Sequence, residues 1–142
     1  TFEVFERWLK EYVMDWYDCD DFCTHALGEL LSQNNELFKY IIEWTKHPRF
    51  SVRRAAAVVL IYPIKYKRYD KIDPFLISDL LMNDDHYLVL KGYGWMLKVL
   101  SQVEKEKVYY YLEKNKNNMP RISFRYALEK FDKESISKLM SK

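Results

Sequence analysis

The feature that most constrains this chain is a pattern that returns three times. VRRAAAVVL (52–60), VLKGYGWML (89–97) and SFRYALEKF (123–131) align in one frame, at offsets of 37 and then 34 residues. A basic residue holds the third place in each copy: Arg54, Lys91 and Arg125. Small residues follow, Ala55 with Gly92 and then Ala57 with Gly94, and Leu128 matches them less strictly. A helical unit that recurs at this period cannot bury its apolar stripe alone and has to stack on its neighbours. Equivalent positions then line up on one face of the stack. The small residues allow neighbouring helices to approach, and the bases form a ladder along the concave surface. One period before Arg54 stands Asp20, so a lone carboxylate is expected at the head of a column of cations.

The rest of the chain agrees with a helical stack. Only three Gly and four Pro interrupt 142 residues, and Leu, Lys, Glu and Tyr are abundant, which favours helices joined by short turns. Apolar residues make up 49% and aromatics 17%, enough to build a core. Leu37, Ile41 and Trp44 form one helical stripe, with Asn35 placed to cap that helix. Ala55, Val58, Val59 and Tyr62 form the next, expected to end before Pro63. Phe75–Met82, Leu90–Leu100, Val108–Leu112, Ile122–Phe131 and Ile136–Met140 continue the series. The expectation is an all-α chain of about eight helices with no strand. It is a solenoid of antiparallel helix pairs of the HEAT or armadillo kind, and residues 1–142 form a single domain.

Charge is unevenly spread. Residues 1–43 hold ten acids against three bases, a net −7, whereas residues 46–71 hold eight bases against Asp70 alone, a net +7. Such a block suits a polyanion, and it suits equally a solvated face that binds nothing. Lys65 and Lys67 extend the basic surface offered by Arg53 and Arg54. No apolar run reaches the ~18 residues of a membrane span, and no signal pattern opens the chain. Cys19 and Cys23 lie four apart on one expected helix, poor spacing for a disulfide, so reduced thiols and a cytoplasmic location are expected.

Chemistry-bearing residues concentrate in DWYDCDDFC (15–23), where Trp16 precedes Asp20 by four. Trp95 lies one helical turn beyond Lys91 on the same face. The concave surface is therefore expected to carry Asp20, Arg54, Lys91 and Arg125, with Trp16 and Trp95 flanking the carboxylate. Trp44 follows the apolar stripe of its own helix and is read as core, and Trp8 as packing. Asp18 and Asp21 fit exposed or capping positions near a helix start. Cys19, Cys23 and His25 could share a helix face, but no second ligand pair of standard spacing exists, so no zinc site is expected. His47 before Pro48, and His86 after Asp84 and Asp85, fit structural roles at turns. No Ser–His–Asp grouping or Gly-rich phosphate loop is visible.

WYDCD (16–20), WTKHPRFSVRRAA (44–56), KGYGWMLK (91–98) and MPRISFRYALEKF (119–131), in this order and at these spacings, resemble the AlkD-type DNA alkylation-repair glycosylases. The resemblance runs from about residue 12 to 131. It implies that Asp20 is catalytic, and that Trp16, Arg54 and Trp95 surround the damaged nucleotide. Arg53, Arg54, Lys65, Lys67, Lys91 and Arg125 would hold phosphates of duplex DNA. It also implies that the family's N-terminal helices lie before the point where this chain begins. An N3- or N7-alkylated purine is cationic and leaves as a neutral base, so charge develops on the sugar, where a carboxylate stabilises it. Tryptophan faces attract a cationic nucleotide by ~0.5–2 kcal/mol each. The chemistry needs no metal, cofactor or covalent nucleophile, and a monomer suffices. Two other uses of such a stack stay open: a DNA-binding protein without glycosylase activity, and a protein-interaction scaffold. Asp20 with both tryptophans weighs against the first, and the cation ladder weighs against the second.

Overall fold

The computed structural model describes residues 2–11 and 20–141, and among them there is no strand. The described residues form an all-helical structure. Helix α1 (Phe2–Glu11) comes first. Residues 20–22 are helical and run through a π turn, Cys23–Leu27, into α2 (Gly28–Gln33). Then follow α3 (Phe38–Trp44), α4 (Phe50–Val58), α5 (Ile61–Lys65), α6 (Pro74–Leu81), α7 (Tyr87–Ser101), α8 (Lys105–Asn115), α9 (Arg121–Leu128) and α10 (Lys133–Met140). No helix among the described residues is long and apolar enough to cross a membrane.

Helix α7 is the spine, packed chiefly against α4 on one flank and α9 on the other. Its apolar side, with Val89, Tyr93, Met96, Leu97 and Leu100, joins the central core that Val52, Val58, Ile64, Ile77 and Leu81 also fill. Side-chain bonds between distant segments keep nearly the period of the repeat. Asp20–Arg54 spans 34 residues, Tyr69–Glu104 35, Arg53–Asp84 31, Asp79–Tyr111 32 and Lys98–Glu129 31. Each helical unit thus bonds to the next one along the chain, which is consistent with a solenoid.

Side-chain caps explain the starts of α6, α7 and α10. Asp73 accepts from the backbone N–H groups of Phe75 and Leu76 with Pro74 in the first turn, a standard helix start. Asp132 accepts from Ser135 in the same way, which holds its carboxyl below the ordinary range. His86 caps α7, its Nδ1 accepting from Leu88 N–H at 3.1 Å, while His47 Nδ1 accepts from Arg49 N–H at 3.1 Å. Both histidines thus act at turns. Two sequence expectations are corrected. Pro63 does not follow a helix but lies buried within α5, after a break at Val59 and Leu60. A proline in the first turn of a new segment loses no intrahelical bond. Asn35 does not cap α3: its Nδ2 donates to Leu31 and Arg68 carbonyls and its Oδ1 accepts from Lys71 N–H. It ties α2 to the loop after α5. Trp44 is core, 1% exposed, stacked on Phe2, with its Nε1 donating to Glu6. Trp8, read from sequence as packing, is 53% exposed and lies against Phe22.

Candidate active site

Every fourth or third residue of α7 on its outward face is aromatic or cationic: Tyr87, Lys91, Trp95 and Lys98. These four, with Leu88, Arg54 from α4 and Tyr126 from α9, line a cleft of about 330 Å³. Lys91 also lines the adjoining depression, together with Arg121, Ile122, Arg125, Tyr126 and Glu129. Arg54, Lys91 and Arg125 therefore follow one another along a single continuous surface, in the order of the repeat.

The lysines and aromatics of the cleft are interleaved. Lys91 Nζ sits 5.4 Å from the centre of the Tyr87 ring and Lys98 Nζ 5.7 Å from that of Tyr126, both within cation–π range. Tyr87 is in turn stacked on His86, at 5.3 Å and 12°, and His86 on Phe50, at 3.8 Å and 5°. This three-ring column fixes the outermost ring at the mouth of the cleft.

Arg54 is 5% exposed, and its guanidinium uses both of its sides. Nη1 donates to the Leu88 carbonyl on α7, while Nε and Nη2 donate to the two carboxylate oxygens of Asp20, each at 2.9 Å. A two-pronged bond of this kind fixes the plane of the carboxylate as well as its distance. The Asp20 side chain is 15% exposed, and each oxygen keeps a further lone pair for a water or ligand. Asp20 does not itself line the cleft; it is bonded to Arg54, which does. Trp16 and Cys19 lie outside the described residues. Cys23 is buried, and His25 pairs with Asp21 at 3.6 Å on the surface. Among the described residues no three His, Cys, Asp or Glu side chains group to hold a metal ion.

The other bases expected on this face are placed elsewhere. Arg53 turns away from Arg54 and donates to Asp84 at 2.8 Å, to Asp85, and to the carbonyls of His47 and Pro48. It staples the turn before α4 to the turn before α7. Lys67 adopts a left-handed backbone, φ 58°, and closes α5: its N–H bonds to Ile64 O and that of Arg68 to Pro63 O. Its side chain borders a different depression of about 640 Å³, with Tyr69, Glu104 and Lys107 near the C-terminal end of α7. There Tyr69 donates to Glu104 at 2.8 Å; burial pushes the phenol up to about 12, and the bond lowers the Glu104 carboxyl. Lys65 is exposed with its Nζ over Tyr66. Within the +7 block Arg54 lines the Lys91 cleft, Arg53 is held in internal bonds, and Lys65 and Lys67 do not line that cleft.

Sequence reading missed Tyr87, Lys98 and Tyr126. The first two follow from extending the Lys91–Trp95 stripe one turn in each direction. Tyr126 occupies the repeat position of Ala55 and Gly92, so its size broke the pattern that would have marked it.

A family profile described as "DNA alkylation repair enzyme" matches residues 1–131. No curated protein matches the chain.

Proposed function

The chain belongs to the DNA alkylation repair enzyme family, and on that premise we propose that it is a DNA glycosylase for cationic, N3- or N7-alkylated purines in duplex DNA. The observation that carries the reading is the Asp20 carboxylate, oriented by Arg54 beside a cleft that alternates aromatic rings with lysines. In the reaction the N-glycosidic bond breaks, its electron pair passes to the cationic base, and the base departs neutral. Positive charge then rests on the sugar as an oxocarbenium-like species. The fixed carboxylate opposes that charge and orients the water that adds to C1′, the water's proton passing to solvent. Lys91, Lys98 and Arg125 hold phosphates and set position along the duplex without reading sequence. Trp95, with Tyr87 and Tyr126, offers aromatic faces to the cationic nucleotide. The protein acts as a monomer, built as a HEAT-like stack.

Asp20→Asn tests this directly. It preserves size and polarity and removes the negative charge, so single-turnover excision of 7-methylguanine should fall by about 10²–10³, or about 3–4 kcal/mol. Duplex affinity should hold or rise, since a carboxylate near phosphates is repulsive in the ground state. Excision at the parent rate by Asp20→Asn would leave Asp20 as a structural partner of Arg54. Duplex binding by the parent without any base release would make the protein a non-catalytic DNA-binding member.

A further inference from the structure

We propose that Gly92 is a positioning residue for Asp20: lacking a side chain, it gives Arg54 the seat on α7 from which the guanidinium orients the carboxylate. The inference rests on the reading of Asp20 as the catalytic group, and adds to it the residue that acts on Asp20 at one remove.

The seat is defined by its geometry. A Cβ on Gly92 would stand 3.0 Å from Arg54 Cγ and 3.6 Å from Arg54 Nη1, with Val58 Cγ2 next at 3.7 Å. The first two atoms met are therefore the stem and head of Arg54, not helix backbone. Leu88, whose carbonyl accepts from Arg54 Nη1, lies one turn before Gly92 on the same face of α7. The stem of Arg54 thus passes over Gly92, and its head is fixed at Leu88 and at both oxygens of Asp20. Three charge-assisted bonds from one planar group cannot all hold their present geometry if its stem is displaced by a few tenths of an ångström, because their angles are coupled, so the bonds survive but the plane of the carboxylate tilts.

The repeat itself does not demand glycine here. Alanine occupies the equivalent position in the preceding copy, Ala55, and tyrosine in the next, Tyr126. A glycine within a helix also weakens it relative to alanine. What distinguishes position 92 from its equivalents is the arginine lying across it.

The test uses the full chain labelled with ¹⁵N-arginine. The Arg54 Nε–H resonance, assigned by its loss in Arg54→Lys, should be slow to exchange with water in the parent. Gly92→Ala should speed that exchange, leave the melting temperature close to that of the parent, and keep duplex affinity. Its excision rate should fall about tenfold, as expected for a small misplacement of a reacting group. In the Arg54→Lys background, adding Gly92→Ala should change excision by no more than about twofold, since both act through one contact. Ala55→Gly, the equivalent position, should leave the Arg54 resonance unchanged. Unaltered Arg54 exchange in Gly92→Ala overturns the proposal, as do equal losses of excision in both backgrounds. A collapsed melting temperature would assign Gly92 to helix packing and overturn it too. If the parent released no base, the exchange measurements would still decide the seat, and only the glycosylase reading would fall.

Discussion

The two flanks of α7 each carry a glycine, and the two glycines meet different neighbours. At Gly92 an added Cβ would press on the Arg54 side chain at 3.0 Å. At Gly94 it would meet the Ser123 carbonyl oxygen and Tyr126 Cβ at 2.9 Å, and Ser123 Cα at 3.2 Å. Ser123 also donates its hydroxyl to the Leu90 carbonyl at 2.8 Å, locking α9 onto α7. The α9 flank is therefore backbone against backbone, whereas the α4 flank is a side chain lying in a notch. A side chain can yield by rotation, but a helix backbone must shift as a body. The rigid flank holds the stack together, and the adjustable one orients the carboxylate.

The largest effect on stability is expected from the second arginine of the α4 flank. Arg53→Met should destabilise by about 3 kcal/mol, because Asp84, 9% exposed, loses its charged partner. Duplex binding should keep its salt dependence. Urea titration reads the first and affinity at several salt concentrations the second; a lowered salt slope would move Arg53 from the staple to the DNA surface. Gly94→Ala comes next. Overpacking against Ser123, less the helix propensity gained, should cost about 2 kcal/mol net. A loss in Gly92→Ala equal to that in Gly94→Ala, measured by the same unfolding, would erase the contrast between the flanks.

Tyr93 lies between the two glycines, buried, with its hydroxyl donating to Met82 O at 2.8 Å. Burial pushes its phenol up to about 12. The folded protein therefore keeps this proton to higher pH than the unfolded chain, whose tyrosines titrate near ~10. The associated stability is complete below that value and declines as pH rises towards about 12. Tyr93→Phe should make the alkaline limb of an unfolding-against-pH curve shallower, with Tyr69 and Tyr111, also raised by burial, supplying the remainder. An unchanged limb would show that Tyr93 ionises without opening the core. The smallest effect is at the cleft. Lys91→Met should alter stability by less than ~0.5 kcal/mol while lowering the slope of log K against log salt by roughly 0.9. A slope identical to that of the parent would remove Lys91 from the phosphate track.

The stack was largely readable because its causes are periodic. The 37- and 34-residue offsets are matched approximately by bonds spanning 31 to 35 residues between successive units. Arg54, Lys91 and Arg125 also follow one surface, as their shared register requires. Neighbouring residues of like charge were not readable. Arg53 and Arg54 are adjacent and chemically identical, yet a helix turns consecutive residues about 100° apart, so one met Asp84 and the other Asp20. Pro63 and Asn35 misled for a related reason. A proline fits the first turn of a helix as well as the residue after one, and an amide bonds whichever backbone groups the fold brings near.

The sequence by itself determined the helical class, the period of the stack and the column of bases, because each follows from side-chain spacing along one chain. Tertiary structure alone decided which of those bases are engaged inside the protein and which face the cleft. That choice depends on where carboxylates and carbonyls about one repeat away come to rest. A guanidinium removed from water must take such partners wherever packing presents them.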